Sequence, residues 1–232
     1  MTDMRGSRWA ALFAFAFFTR ILCGSSVTVG LPAESASGNC VPFGCPALLG
    51  TTTYQEVYSN AAFPDSFVIE EIDFFDTEFV TGGVPAAGKY TFSLSYTSES
   101  PGSLNTTNPA NNIGSGSQLF FNGTLPSLSG SELQFAGVPF SYNPALGNLL
   151  LTVTMSGGTD SSPTFYLDQS QTQAQTGRAY FGTTTDGNDA GGLVTQFDSP
   201  DSPVPEAGSL VLVLTGFGLV GLRQFVRARR RA

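Results

Sequence analysis

The sequence predicts an all-β body, arranged as an antiparallel β-sandwich or a jelly roll. Apolar and polar residues alternate through much of the interior of the 232-residue chain, and clusters of Gly, Pro, Asn and Ser separate the alternating runs. No interior stretch has apolar residues at helical spacing. The 20 Phe and 7 Tyr residues supply large side chains for one core. These features are typical of two packed antiparallel sheets.

The clearest strand is predicted at residues 89–96, where Tyr90, Phe92, Leu94 and Tyr96 fall on one face. A second alternating run covers residues 149–155. The other predicted strands are 51–58, 66–74, 118–125, 132–135, 163–168, 178–183 and 192–197. Residues 97–116 are rich in Ser, Asn, Gly and Pro, which predicts a mobile loop.

The charge of the chain is unevenly distributed. Between Gly24 and Pro203 there are sixteen acidic residues, against only Lys89 and Arg178. A body with this charge is not expected to bind nucleic acid or an anionic membrane. It is expected to be soluble outside the cell.

The N-terminus has the pattern of a Sec signal peptide. Arg5 and Arg8 precede an apolar run at residues 9–18, and small residues follow near Ser26. We therefore expect a signal helix in residues 1–26, with cleavage near Ser26 and Cys23 removed with it. An uncleaved anchor is the alternative, although the segment is short for one.

Cys40 and Cys45 would remain as a pair in an exported protein, which predicts a local disulfide loop. A metal site is the alternative for this pair. It is disfavoured because the chain contains no histidine and the compartment is oxidising.

The C-terminus combines a Pro-rich linker at residues 199–209, an apolar run at 210–222 and a cluster of arginines. Sixteen uncharged helical residues, 207–222, would span roughly 24 Å, a little less than a bilayer core. The arginines should hold their end in the cytoplasm. This stop signal consists of Arg223, Arg227, Arg229, Arg230 and Arg231. A plain membrane anchor would have the same features.

Val204, Pro205, Glu206 and Ala207, placed just before the span, resemble the Val-Pro-Glu-Pro motif of the PEP-CTERM sorting signal of diderm bacteria. The second proline is replaced by Ala207. The resemblance implies that residues 210–232 are a transmembrane helix and basic tail, which an exosortase removes after export through the Sec translocon. It further implies that the body, residues 27–198, is released to the cell surface or to an exopolysaccharide matrix.

Carboxylates are the only side chains in the sequence that remain as candidate catalytic residues. The absence of histidine removes Ser-His-Asp and Cys-His catalysis, and no phosphate or dinucleotide motif is present. Residues 70–78 contain five acids, and Glu71 and Asp73 would share one face of a strand while Glu70 shares the other with Ile72. The pattern favours an acidic solvent face on an edge strand. Calcium binding and a paired-carboxylate glycoside hydrolase are the alternatives.

Two further candidates are weaker. Asp186, Asn188 and Asp189 resemble the start of a calcium loop, but Ala190 and the lack of a closing Glu favour a tight turn. Tyr54, Tyr58 or Tyr180 could stack on a sugar, but each is more typical of a core residue.

The sequence as a whole predicts a non-enzymatic, exported structural or matrix protein without a cofactor, calcium being the one alternative. A carbohydrate-binding or lectin-like adhesin module is the second hypothesis, and a carboxylate-based hydrolase is the third.

Overall fold

The computed structural model describes residues 25–30, 38–47, 50–78, 80–171, 174–183, 186–188 and 192–199. They belong to one compact unit, Gly24–Asp201. Its strands are β1 (Ser26–Val29), β2 (Gly38–Asn39), β3 (Thr51–Tyr58), β4 (Phe67–Phe75), β5 (Lys89–Thr97), β6 (Gln118–Gly123), β7 (Glu132–Tyr142), β8 (Asn148–Ser156), β9 (Leu167–Asp168), β10 (Thr176–Gly182), β11 (Asp186–Asn188) and β12 (Thr195–Asp198). Three short 3-10 helices cover Asn60–Ala62, Pro109–Asn112 and Pro144–Leu146.

The strands form two main antiparallel sheets. One has four strands in the order β1-β12-β4-β7, and the other has six in the order β11-β10-β3-β8-β5-β6. Strands β2 and β9 make a separate two-stranded pair. The all-β class and the antiparallel pairing are therefore confirmed. The two predicted terminal helices lie outside the described residues.

The sheets share one aromatic core in a sandwich-like arrangement. The ring of Phe92 on β5 lies 4.5 Å from that of Phe135 on β7. The ring of Tyr58 on β3 lies 4.9 Å from that of Phe197 on β12. Period-two alternation places these rings on the inner faces of both sheets, and burying them supplies most of the driving force for packing.

The predicted disulfide between Cys40 and Cys45 is confirmed. The loop it closes carries Phe43 into the core, where this ring is 1% exposed and lies 5.1 Å from Phe74 and 5.7 Å from Phe135. The loop approaches its neighbour so closely that a Cβ on Gly44 would lie 1.9 Å from the carbonyl oxygen of Phe165. The small loop thus contributes a core side chain as well as a covalent link.

Several boundaries differ from those predicted. Strand β7 continues to Tyr142, well past the predicted end at Phe135, because β4 pairs along its whole length. Strands β1, β2 and β11 were not predicted, since each is at most four residues long and has little alternation of its own. Their pairing with longer strands defines them.

The loop expected to be mobile is instead held against the six-stranded sheet. It contains the 3-10 helix Pro109–Asn112, and the side chain of Asn112 is buried. Asn112 donates from Nδ2 to Gln55 Oε1 over 2.8 Å, and Gln55 donates to the Pro109 carbonyl over 3.0 Å. Polar contacts with buried Gln55 therefore order a segment whose composition is typical of a free loop.

Among the residues that the structure describes, no helix is long and apolar enough to cross a membrane.

Candidate functional site: a carboxylate cluster beside a cleft

The outer face of the four-stranded sheet carries an unusual concentration of acids. On β4 the alternation points Ile72 and Phe74 into the core, so Glu71 and Asp73 lie on the opposite face. Strand β12 runs antiparallel to β4 and places Asp198 directly opposite Glu71. Oxygen atoms of Glu71, Asp73 and Asp198 all lie within 4.8 Å of one another. These three residues are called the carboxylate cluster below.

Asp73 is the buried member of the cluster, only 2% exposed. Its two cross-strand neighbours are amides, Gln196 on β12 and Gln134 on β7. Gln196 donates from Nε2 to Asp198 over 3.0 Å, and Gln134 donates to Glu132 over 3.1 Å. Because both nearby amides point to other carboxylates, Asp73 Oδ1 is buried without a hydrogen-bond partner.

The pKa of Asp73 is raised to about 8. Burial is the largest cause, followed by a hydrogen bond with Asp198 and the negative charges of Glu71, Asp198 and Glu132. When no metal cation is bound, Asp73 therefore keeps its proton at neutral pH. The cluster then avoids three adjacent negative charges.

No basic side chain of the sheet offsets this charge. Strands β1, β4, β7 and β12 contain neither Lys nor Arg. Leaving the buried carboxylate of Asp73 without a positive partner is costly, so a proton or an external cation must balance it.

A cleft of about 420 Å³ opens next to the cluster. Glu71 and Asp198 line it, whereas Asp73 does not; the remaining lining residues are Glu70, Ala136, Gly137, Pro139 and Ser199. The cleft lies where the register between β4 and β7 shifts between Ile69 and Glu71. That irregularity lets Glu70 line the same cleft as Glu71, which corrects the prediction that Glu70 lies on the opposite face of the strand with Ile72.

The sequence located two of the three members of the carboxylate cluster. It placed Glu71 and Asp73 on one face, which is confirmed. The assignment of β4 to a sheet edge is wrong, because β12 and β7 flank it on both sides. Asp198 was missed, since nothing in the local sequence links it to residues so far away. Only the β4–β12 register shows that association.

The other candidate residues have different outcomes. Strand β11 contains Asp186 and Asn188 and pairs with β10, and Asp189 lies outside the described residues. The sorting motif Val204–Ala207 and the terminal arginines also lie outside them. Tyr54 and Tyr58 are fully buried, which confirms that they are core residues and leaves no ring for sugar stacking. Tyr180 is half-buried.

A second buried carboxylate, Glu56 on β3, lies inside the protein. Its side chain is 0% exposed. It accepts hydrogen bonds from the Tyr54 hydroxyl over 2.7 Å, from the Thr176 hydroxyl over 2.5 Å and from the Leu193 N–H. Burial raises the pKa of Glu56 to about 7, and the donors together with the Arg178 charge limit the rise.

Glu56 is sealed from solvent by the backbone near Gly192. A Cβ at that position would lie 2.6 Å from Glu56 Oε1 and 2.5 Å from Thr176 Oγ1, so only glycine lets the segment approach so closely. This carboxylate is enclosed and fully bonded, and it has the properties of a structural group. The sequence contains a signal for this group, because Tyr54, Glu56 and Tyr58 alternate along β3 and thus share its aromatic face.

The geometry restricts the chemistry available at the cleft. In a carboxylate-based hydrolase the group with the raised pKa delivers a proton to the substrate. Asp73 has that pKa but does not line the cleft, and none of the lining residues is aromatic. The arrangement is better suited to holding a cation than to protonating a sugar.

No protein-family model matches the chain, and comparisons with curated proteins and with solved structures find no significant similarity.

Proposed function

We propose that this chain is an exported bacterial surface or extracellular-matrix protein, associated with exopolysaccharide and sorted by an exosortase. One observation carries the proposal: residues 199–232 combine a Pro-rich linker, the Val204–Ala207 motif, an apolar run and terminal arginines in the order of a PEP-CTERM signal. In this proposal a signal helix directs the chain to the Sec translocon, and a C-terminal helix anchors it briefly in the inner membrane.

Three features of the body support export. The Cys40–Cys45 disulfide is typical of proteins that mature in an oxidising compartment. The strong negative charge of the body favours solubility outside the cell. Strand β1 begins at Ser26 and pairs with β12, so signal cleavage before Ser26 would leave this strand intact.

Mass spectrometry of the C-terminal peptide, from the envelope and secreted fractions of the native host, tests the proposal. We expect the mature chain to end near Glu206 and to lack residues 210–232. An added mass at the new C-terminus would identify the attached group.

A pair of linker variants makes the test specific. Pro205→Ala removes a motif residue, whereas Pro203→Ala removes a proline just outside the motif. We expect unprocessed chain to accumulate only with Pro205→Ala. Recovery of the intact arginine tail from the membrane fraction of the wild type would overturn the proposal and indicate a permanently anchored β domain.

A further inference from the structure

The carboxylate cluster contains a buried oxygen atom, Oδ1 of Asp73, that lacks a hydrogen-bond donor among the described residues. A single proton on the cluster satisfies it only in part. The side chain of Asp73 is only 2% exposed, and its Oδ1 receives no hydrogen bond from the residues that the structure describes. The amides of Gln196 and Gln134, which could supply one, are engaged by Asp198 and Glu132. A buried acceptor without a donor is destabilising, so this oxygen needs a partner that the described residues do not provide.

The surroundings of Asp73 determine what kind of partner fits. Its oxygens lie close to those of Glu71 and Asp198, and no strand of this sheet contains Lys or Arg. The cleft lined by Glu71 and Asp198 gives solvent access to one side of the cluster. Three acidic groups that converge next to water, without a basic residue, form a local negative potential that attracts a cation.

From this geometry we propose that Glu71, Asp73 and Asp198 bind a calcium ion, with the cleft supplying the remaining water ligands. Calcium is one of the alternatives that the sequence leaves open for residues 70–78, and this site is distinct from the Asp186–Asp189 segment. The proposal is independent of the sorting signal and of its processing.

The ligand set favours a hard cation. All three groups offer only carboxylate oxygens, which suit calcium, magnesium or manganese rather than the softer metals that prefer imidazole or thiolate. Calcium binds oxygen at 2.3–2.6 Å, so two of its ligands can stand up to about 5 Å apart. Magnesium, at 2.0–2.1 Å, limits this separation to about 4.2 Å. The oxygens of the cluster all lie within 4.8 Å of one another, which is within the span of a calcium shell. Magnesium also demands a nearly ideal octahedron and gives up its water reluctantly, so a site of side-chain carboxylates favours calcium.

Calcium needs six to eight ligands, and the cluster can provide a large part of them. Three carboxylates supply between three and six oxygens, depending on whether each binds through one oxygen or two. The half-buried Glu71 and Asp198 face the cleft, where water completes the shell. Such a partly hydrated site is expected to have a dissociation constant of about 10⁻⁴ to 10⁻³ M, in the range of extracellular calcium modules.

The test is calorimetric titration of the full chain, freed of metal by a chelator, with calcium chloride and then with magnesium chloride. The thermal unfolding midpoint is recorded in parallel. We expect saturable binding of one calcium ion, a higher midpoint in calcium and at least tenfold weaker binding of magnesium.

Three cluster variants and one control variant localise the ion. Asp73→Asn and Asp198→Asn are expected to weaken calcium binding at least tenfold, whereas Asp65→Asn, the same change at an exposed residue outside the cluster, should leave it within twofold. Glu71→Gln, at a half-buried position, provides a milder cluster variant if Asp73→Asn does not fold.

Three results would overturn the proposal. Absence of both heat and a midpoint shift at millimolar calcium would show that protons alone balance the cluster. Calcium binding that survives all the cluster variants would place the ion elsewhere in the chain. Magnesium binding of equal strength would rule out a calcium-selective site.

Discussion

Glu56 and Asp73 are both carboxylates buried on interior strands, one in each main sheet, and burial raises the pKa of both. Their environments differ in every other respect. Glu56 accepts bonds from Tyr54, Thr176 and Leu193 and is attracted by Arg178. Asp73 has an unpartnered oxygen, and the charges that act on it are those of other acids.

The difference shows that burial and a shifted pKa do not by themselves mark a functional group. What separates the two sites is whether the fold supplies the compensating donors. Around Glu56 it does, and the backbone near Gly192 closes over the result. Around Asp73 it does not, and a cleft remains open beside the cluster.

The largest expected effect is at Glu56. Glu56→Ala removes the shared acceptor of two hydroxyls and the Leu193 N–H, all in the interior. We expect a loss of about 3 kcal/mol in the free energy of unfolding at pH 5, measured by urea denaturation of the full chain. Asp65→Ala, at an exposed position, is the control and should change it by less than about 0.5 kcal/mol. A loss below about 1 kcal/mol for Glu56→Ala would show that this carboxylate is not a structural centre.

The second effect depends on pH. The pKa of Glu56 is about 7 in the folded chain against an ordinary 4.5, so the folded state binds more protons between these values. The contribution of Glu56 to the free energy of unfolding is therefore fully present below pH 4.5 and is lost as the pH rises through 7. Glu56→Gln keeps a neutral acceptor that does not titrate. The free energy of unfolding of this variant, relative to that of the wild type, should therefore rise by about 2 kcal/mol from pH 5 to pH 8.

Paired urea denaturation curves of wild type and Glu56→Gln across this range provide the measurement. Taking the difference between the two proteins cancels the titration of all other acids. A constant difference from pH 5 to pH 8 would mean that Glu56 keeps an ordinary pKa in the fold.

The third effect should depend on calcium. Asp73→Asn removes one acid from a crowded cluster, so at pH 8 without calcium we expect stabilisation of about 1 kcal/mol. In about 10 mM calcium the wild type gains roughly 1 kcal/mol more binding energy than a variant that binds the ion tenfold more weakly, so the two proteins should become equally stable. Thermal unfolding with and without calcium measures this change, and Glu56→Gln should show none. If calcium affected the thermal unfolding of Asp73→Asn and Glu56→Gln equally, the two carboxylates would not differ in function.

The smallest effect is expected at Glu132. It lies on β7 outside the cluster and contributes the weakest of the named influences on Asp73. Glu132→Gln should alter calcium affinity less than threefold and stability by less than about 0.5 kcal/mol. Calorimetric titration of this variant gives the affinity, and a tenfold loss would extend the cluster to a fourth carboxylate.

Much of the fold could be predicted because it follows from local patterns. Alternation located β3, β5 and β8 almost to the residue, and the short spacing of Cys40 and Cys45 indicated their disulfide. The carboxylate cluster could be predicted only in part. Glu71 and Asp73 share a face because of the strand period, but Asp198 reaches them only through the β4–β12 register.

The sequence by itself determined where most of the longer strands lie, which side chains share a face of each of them and how the small disulfide loop closes. Its terminal segments also predict a sorting signal. Only the tertiary structure decided that β4 is an interior strand, that Asp198 joins Glu71 and Asp73, and that Glu56 is enclosed by the backbone near Gly192. The physical reason is that the alternation of a strand is set by neighbouring residues. Pairing order and register depend instead on burying both inner faces together, which involves the whole chain.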